Sequence, residues 1–158
     1  MDYKKELSAY FGENCLLNEP MGRHTTYRTG GPAETYVYPK TTEDWSFVLK
    51  LAQAENVPLH IIGFGSNILV GGKGVGGIVC STRHMDQTAV KGTRITAEAG
   101  AALDKICETA VSAGLAGMEK LSGIPGSVGG AVYMNAGAFG QETFDCLEYV
   151  EVIDFEGR

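Results

Sequence analysis

The sequence predicts a mixed fold of helices and strands, and three observations support that prediction. Apolar residues recur at the helical spacing i, i+3, i+4, i+7 within residues 45–52 and 103–110. Short apolar or alternating runs typical of strands lie at residues 34–39, 59–62 and 76–80. Glycine, at 22 of 158 residues, is about twice as frequent as usual and follows no repeat period. The excess therefore marks backbone positions that need an unusual turn or a close approach.

Composition and charge narrow the class of protein. A hydrophobic content of 44% and a charged content of 20% are ordinary for a soluble globular domain. The net charge of −6 argues against nucleic acid as a partner, because binding the phosphate backbone requires a basic surface. Neither a signal peptide nor an apolar run long enough to span a membrane is found. We therefore expect a cytoplasmic enzyme domain with no membrane partner.

The four cysteines are widely spaced and form no Cys-x-x-Cys pair. No histidine stands beside them at metal-ligand spacing. We expect free thiols and no metal site. The cysteines are Cys15, Cys80, Cys107 and Cys146.

The first segment, residues 1–22, is expected to form an N-terminal helix and a lead-in to a domain covering residues 23–158. Residues 3–11 are amphipathic and end at Gly12, and residues 15–17 favour an extended chain that Pro20 stops. Residues 21–33 follow neither hydrophobic period, which predicts a loop with its own role or a solvated linker. His24 in this loop is interpreted as a surface histidine rather than a catalytic one.

A strand, a helix and a second strand follow. Residues 34–39 alternate as a strand does, and Thr41 or Thr42 can cap a helix whose first turn carries Glu43 and Asp44. Trp45 falls on the buried face of that helix. Residues 59–62 then form an apolar strand that runs directly into a glycine-rich loop at residues 63–67.

This first glycine loop resembles a phosphate site but fits neither common nucleotide motif. Ile68 stands where a dinucleotide fingerprint needs a third glycine, and Asn67 and Gly74 break the P-loop pattern. We expect an anion cradle in which backbone amides turn inward and Ser66 and Asn67 add side-chain donors. The alternative is a turn that ends the strand and binds nothing.

The next elements are a strand at residues 76–80, a hairpin at residues 89–99 and a helix that Gly114 terminates. A final strand is expected at residues 147–155, followed by a turn. A strand that reaches its hairpin turn without a returning partner leaves an exposed edge. The sequence therefore predicts that these residues are a piece of a longer protein.

A second glycine-rich stretch, residues 123–140, contains six glycines. Ser127 can cap a short helix beginning at Val128, whose first turn would offer unpaired N–H groups to a ligand. The alternative is tight helix–strand packing with glycine at the contact. Nearby Glu119 is expected to anchor the loop by accepting backbone N–H bonds rather than act as a base. Asn135 either pairs with the edge of a ring or caps the helix, and both interpretations stay open.

Three motifs together resemble the UDP-N-acetylenolpyruvoylglucosamine reductase family, also called UDP-N-acetylmuramate dehydrogenases. The likeness runs from about His24 to the end of the chain. Its motifs are HTTYRTGGPA at 24–33, IGFGSNIL at 62–69, and GLAGME at 114–119 continuing through GIPGSVGGA at 123–131 to MNAGAFG at 134–140. One departure is Phe139, where tyrosine is commoner in the family.

The resemblance implies an α+β fold, the FAD-binding domain of the vanillyl-alcohol-oxidase (PCMH) type. Two small α+β subdomains would clasp the cofactor, and the chain would end before the substrate domain. FAD would be bound non-covalently, since neither glycine loop contains histidine. The implied cofactor-binding residues are Ile62, Gly63, Phe64, Gly65, Ser66, Asn67, Ile68, Gly123, Ile124, Pro125, Gly126, Ser127, Gly129, Gly130, Ala131, Asn135, Ala136 and Gly137.

The implied reaction is an oxidoreduction in peptidoglycan precursor synthesis, and so in cell-wall biogenesis, cell shape and cell division. Hydride passes from NADPH through FAD to UDP-N-acetylglucosamine enolpyruvate, giving UDP-N-acetylmuramate. The family's catalytic serine, glutamate and arginine lie downstream of these residues. We therefore assign no catalytic residue here and expect the chain alone to be inactive, with its substrate held by the missing domain. The alternatives are a non-catalytic flavin-binding module and a carbohydrate oxidase of the same superfamily.

Overall fold

The computed structural model describes residues 2–157. Met1 and Arg158, which bound the expected segments, lie outside the described residues. Within residues 2–157 the helices are α1 Tyr3–Phe11, α2 Thr42–Ala54, α3 Leu103–Ser112 and α4 Val128–Met134. The strands are β1 Cys15–Pro20, β2 Pro32–Val37, β3 Leu59–Ile62, β4 Val75–Ser81, β5 Thr88–Lys91, β6 Arg94–Ala97, β7 Gly137–Ala138 and β8 Gln141–Glu142. Short 3₁₀ turns span Gly12–Asn14, Met21–Arg23, Glu119–Leu121 and Thr143–Asp145.

A four-stranded mixed sheet in the order β1-β2-β4-β3 organises the first half of the chain. β1 runs antiparallel to β2, whereas β2, β4 and β3 are parallel to one another. The parallel pairing places the carboxyl ends of β3 and β4 side by side, and the N–H of Thr82 donates to the carbonyl of Ile62 over 3.0 Å. That edge is where open α/β sheets bind ligands.

The two faces of this sheet bury separate apolar clusters, following the period-two alternation of strand side chains. In β4, Ile78 and Cys80 face one cluster and Val79 the other. The first cluster also contains Leu7 of α1 and Trp45 of α2. Each fully buried aliphatic or aromatic side chain contributes about 1.5–3 kcal/mol, so both helices are held to the sheet by these contacts. The core position expected for Trp45 is confirmed.

The start of α2 follows the expected chemistry. The hydroxyl of Thr41 accepts the N–H of Asp44 over 3.1 Å, and the carboxylate of Asp44 accepts the N–H of Thr41 over 3.2 Å. This reciprocal capping box satisfies two N–H groups that have no partner inside the helix. The sequence therefore located this boundary to within one residue.

The second half contains the β5-β6 hairpin, the β7-β8 pair, α3 and α4. α3 buries Leu103, Ile106, Cys107 and Ala110 on the face that their spacing predicts. Gly114 has φ +68°, and the N–H of Leu115 bonds the carbonyl of Ala110 over 2.9 Å, which closes the helix as expected. The cysteines at positions 15, 80, 107 and 146 are free.

The expected strand at residues 147–155 is wrong. Within residues 2–157 no strand pairs with this segment, so its alternating apolar residues have no ladder to join. Val152 and Phe155 are largely exposed. The segment is held instead by a two-bond ion pair between Arg94 and Glu148 and by Ile153, which packs against the first cluster. Only the closing turn, at Phe155 and Glu156, is as predicted.

Across residues 2–157, no helix combines the length and apolar character that a membrane span requires. The same residues bring together no group of three or more His, Cys, Asp or Glu side chains suited to a metal ion.

Candidate functional site

The two glycine-rich loops lie side by side, although they are far apart in the chain. The hydroxyl of Ser66 in the first loop donates to the carbonyl of Pro125 in the second over 2.9 Å. A Cβ on Gly63 would lie 2.2 Å from Oγ of Ser127. The two loops therefore form one site at the carboxyl edge of β3 and β4.

Gly65 sits at the centre of the first loop with φ +70°. Its carbonyl accepts the N–H of Thr26 over 3.1 Å, and a Cβ here would lie 2.1 Å from the carbonyl oxygen of His24. Only glycine fits this position without moving the backbone behind it. Residues 24–26 therefore support the first loop, and the interpretation of residues 21–33 as a solvated linker is wrong.

The first loop presents unpaired amides. Within the described chain, no backbone or side-chain acceptor pairs with the N–H groups of residues 63–68. Buried or half-buried amides are almost always bonded in folded proteins, because an unpaired one is costly. Neither this loop nor residues 123–131 contain a carboxylate. An anionic ligand that accepts these N–H groups would satisfy them.

The second stretch differs from the first loop, because the N–H groups at the start of its helix α4 are already hydrogen-bonded. Ser127 caps α4 as expected, with its hydroxyl accepting the N–H of Gly130 over 3.3 Å. However, the N–H of Val128 bonds the carbonyl of Ala101 and that of Gly129 bonds the carbonyl of Ala99, each over 2.8 Å. The expectation of unpaired N–H groups in this first turn is therefore wrong.

Close packing of residues 99–101 against the start of α4 is the physical reason that these N–H groups are bonded. A Cβ on Gly129 would lie 2.8 Å from Cβ of Ala99, so glycine allows residues 99–101 to lie directly against the start of α4. The alternative of tight packing is correct for this glycine. Just before the helix, in the part of the chain that the structure describes, the N–H groups of Gly126 and Ser127 have no acceptor. These two amides, beside Ser66, are what the second stretch can add to the first loop.

Asn135 caps the end of α4 in the left-handed conformation, with φ 46° and ψ 49°. Its side-chain nitrogen donates to Glu142 over 2.6 Å, and its side-chain oxygen accepts the N–H of Phe144 over 3.0 Å. The C-cap interpretation is therefore confirmed, and both ends of the side-chain amide are already bonded.

Glu119 anchors the loop before the second stretch, as expected. Both carboxylate oxygens accept the N–H of Gly117 over 3.0 Å. This backbone hydrogen bond lowers the pKa of Glu119 from its usual value, because it stabilises the charged form.

His24 is buried rather than on the surface, which corrects the sequence interpretation. Its Nε2 lies 2.9 Å from a carboxylate oxygen of Glu19 in β1, and its ring stacks on Tyr36 of β2 at 4.1 Å between centroids. The sequence signal was an acid five residues before a histidine, which alone does not indicate burial. The same environment desolvates the Tyr36 hydroxyl and raises its pKa to about 12.

Two further features were missed from the sequence. The Thr82 hydroxyl, directly after β4, is buried without a hydrogen-bond partner in the described chain and lies 3.9 Å from the place of a Gly63 Cβ. The guanidinium of Arg83 lies 5.0 Å from the ring centroid of Phe64. The sequence signal that could have identified Thr82 and Arg83 was their position at the carboxyl end of β4. Arg83 places a positive charge beside the loop, and a cleft of about 340 Å³ opens there between Phe64, Arg83 and Lys105.

Comparison with known proteins decides the family. Residues 33–158 match the family described as FAD binding domain. The chain belongs to this FAD-binding-domain family. Membership agrees with the two converging loops and their unpaired amides.

Individual relatives refine the comparison. The chain is 45% identical over 160 residues to UDP-N-acetylenolpyruvoylglucosamine reductase from Moorella thermoacetica, covering 97% of this chain and 53% of the relative. A crystal structure of the Thermus caldophilus reductase superposes with a TM-score of 0.69 at 36% identity, covering 85% of this chain and 46% of the other. The chain thus spans about half the length of the relatives it matches.

A more distant structure shows the fold. p-Cresol methylhydroxylase superposes with a TM-score of 0.60 at 18% identity, covering 85% of this chain and 29% of the other. The fold class that the resemblance implied, an α+β FAD-binding domain of the vanillyl-alcohol-oxidase type, is confirmed.

Proposed function

We propose that the chain binds FAD non-covalently between its two glycine loops. The supporting observation is that the unpaired N–H groups of residues 63–68 adjoin those of residues 126–127 at one sheet edge. Backbone amides in this arrangement bind phosphate oxygens, and a dinucleotide supplies two adjacent phosphates. No histidine or cysteine lies in either loop to form a covalent bond to the flavin.

The parts of FAD are assigned to the two loops according to which backbone N–H groups lack an acceptor. The pyrophosphate lies against residues 63–68, and residues 123–131 and 135–137 line the flavin and adenine side. Gly126 and Ser127 contribute amides, whereas Gly129 and Asn135 shape the backbone, since Gly129 packs on Ala99 and the Asn135 side chain is already bonded. The binding residues proposed remain those that the resemblance implied.

Ser66 and Asn67 have different proposed parts. The Ser66 hydroxyl already donates to Pro125, so it is not a free donor, which departs from the sequence expectation. The Asn67 side chain is exposed at the loop and keeps the proposed role of a donor. Of these two adjacent residues, Ser66 is therefore assigned a structural contact and Asn67 a contact with the ligand.

For the whole protein we propose an NADPH-dependent reductase that converts UDP-N-acetylglucosamine enolpyruvate to UDP-N-acetylmuramate in the cytoplasm, without nucleic acid or membrane partners. FAD, when bound, supplies the hydride-transfer chemistry. The residues of this chain bind and orient it, while substrate contacts and catalytic groups belong to the rest of the protein. The support is the 45% identity to the Moorella thermoacetica reductase over nearly all of this chain.

Titration with FAD tests the binding site. The purified protein is expected to quench FAD fluorescence on binding. Asn67→Asp places a carboxylate in the cradle, and its repulsion of the pyrophosphate should weaken FAD affinity by about tenfold or more. Asn56→Asp is the matched control, because Asn56 is also exposed but follows α2, away from the loops. Equal FAD affinity in both variants, or no binding by the wild type, would contradict the proposed site.

The encoding gene beyond codon 158 tests the reductase assignment. A substrate domain carrying an arginine, a serine and a glutamate in the family pattern supports it. A stop codon at that point favours the non-catalytic flavin module instead.

A further inference from the structure

Each glycine loop places one serine against a glycine of the other loop. Ser66 Oγ bonds the carbonyl of Pro125, and a Cβ on the adjacent Gly126 would lie only 3.1 Å from that oxygen. In the opposite direction, Ser127 Oγ occupies the space that a Cβ on Gly63 would need. The contact is reciprocal: a Cβ on Gly63 would displace the Ser127 hydroxyl, and a Cβ on Gly126 would press on the Ser66 hydroxyl. Glycine at both positions therefore favours the close approach of the loops.

The Ser66 bond is well placed to set the spacing of the site. It joins residues 59 apart in the sequence. Among residues 2–157, no other hydrogen bond links residues 62–68 to residues 123–131. The amides of residues 63–68 lie on one side of the bond and those of Gly126 and Ser127 on the other. Loss of the bond would leave both sets of amides in place but remove the hydrogen bond that links them, so that only the packing of Ser127 against Gly63 would hold the loops at this distance.

The geometry points to Ser66 as a positioning residue that fixes the distance between the two halves of the cradle. The inference rests on the proposed function, because it concerns the same FAD site. A ligand that touches both loops benefits from a fixed distance, since the loops are ordered before binding. A fragment that touches one loop does not. Ser66 therefore contributes to selectivity for the intact dinucleotide over inorganic pyrophosphate, which lacks the flavin and the adenine that the second stretch is proposed to line.

The test compares two ligands and two serine variants by calorimetric titration. Ser66→Ala removes the bond between the loops. Ser112→Ala is the matched control, because the Ser112 hydroxyl donates to the carbonyl of Glu108 over 2.8 Å within α3 alone. We expect Ser66→Ala to weaken FAD binding by about three- to tenfold, the range that one hydrogen bond supports. The affinity for inorganic pyrophosphate should change by less than about twofold, and the control should leave both affinities unchanged.

Other results would overturn the inference. Equal weakening of FAD and inorganic pyrophosphate binding would mean that the hydroxyl contacts the pyrophosphate directly. Unchanged FAD affinity would mean that the bond does not set the spacing of the site. Failure of inorganic pyrophosphate to bind the wild type would remove the division of the site between the loops.

A measurement without ligand separates this inference from the proposed function. Amide hydrogen exchange at Leu103 and Ile124, whose N–H groups bond the carbonyls of Gly126 and Leu121, should be faster in Ser66→Ala than in Ser112→Ala, because one anchor of that segment is lost. Unchanged exchange would overturn the positioning role. Absence of FAD binding by the wild type, with exchange still faster in Ser66→Ala, would contradict the proposed function and leave the link between the loops standing.

Discussion

The two glycine-rich loops have similar composition but use glycine for different purposes. In residues 63–68, glycine lets the backbone turn so that its amides stay unpaired, with Gly65 at φ +70°. At the start of α4, Gly129 lets residues 99–101 approach until the first amides of the helix are bonded. Glycine density alone therefore does not predict a ligand site. A glycine-rich stretch can bind an anion through its backbone only where no neighbouring carbonyl already accepts its N–H groups.

The largest expected effect comes from breaking the first loop at Gly65. In Gly65→Ala, the Cβ would collide with the carbonyl of His24, and alanine is strained at positive φ. We expect a loss of about 2–4 kcal/mol in the free energy of unfolding, measured by urea denaturation. Gly71→Ala is the control, because Gly71 has open space and no positive φ. A Gly65→Ala protein as stable as the control would contradict the close backing of this loop by residues 24–26.

A smaller effect is expected at Gly129, where the contact is with a side chain as well as a backbone. Gly129→Ala should lower the free energy of unfolding by about 1–3 kcal/mol, since its Cβ would lie 2.8 Å from Cβ of Ala99. Adding Ala99→Gly removes that atom and should restore part of the loss. The double-mutant cycle measures the coupling between the two sites. Additive effects would show that Gly129 is not held by Ala99.

The smallest effect concerns the anchor of the second stretch. The pKa of Glu119 is lowered by the N–H of Gly117, so its stabilising contribution is present above the unfolded pKa, near 4.5. It is lost as the pH falls through the lower folded value. Glu119→Gln should therefore reduce stability slightly at pH 7, and the difference from wild type should shrink below about pH 4.5. Urea denaturation at several pH values measures it, and a difference that grows with acid would be the wrong sign.

Local patterns in the sequence predicted the helices and most strands. The capping box at Thr41 and the helical spacing around Ile106 are properties of neighbouring residues, and both are found where expected. Residues 147–155 have the alternation of a strand but no partner strand within residues 2–157, which the pattern cannot reveal. The short β7-β8 pair, two residues on each side, was too brief to produce a pattern.

The features of the candidate site that depend only on neighbouring residues were also predictable from the sequence. Ser127 as an N-cap and Glu119 as an anchor depend on residues two or three positions away. The burial of His24 depends on Tyr36 and on Glu19 of β1, and the occupied amides of α4 depend on residues 99–101. These are contacts between distant segments. Sequence reasoning located both loops but could not decide which amides remain free.

Site-resolved amide hydrogen exchange with and without FAD tests the central claim most directly. If the first loop is the cradle, the N–H groups of residues 63–68 exchange rapidly in the free protein and become protected when FAD is added. Those of Val128 and Gly129 should be slow in both states, because Ala101 and Ala99 already accept them. Unchanged exchange at residues 63–68, with new protection at the start of α4, would contradict the account.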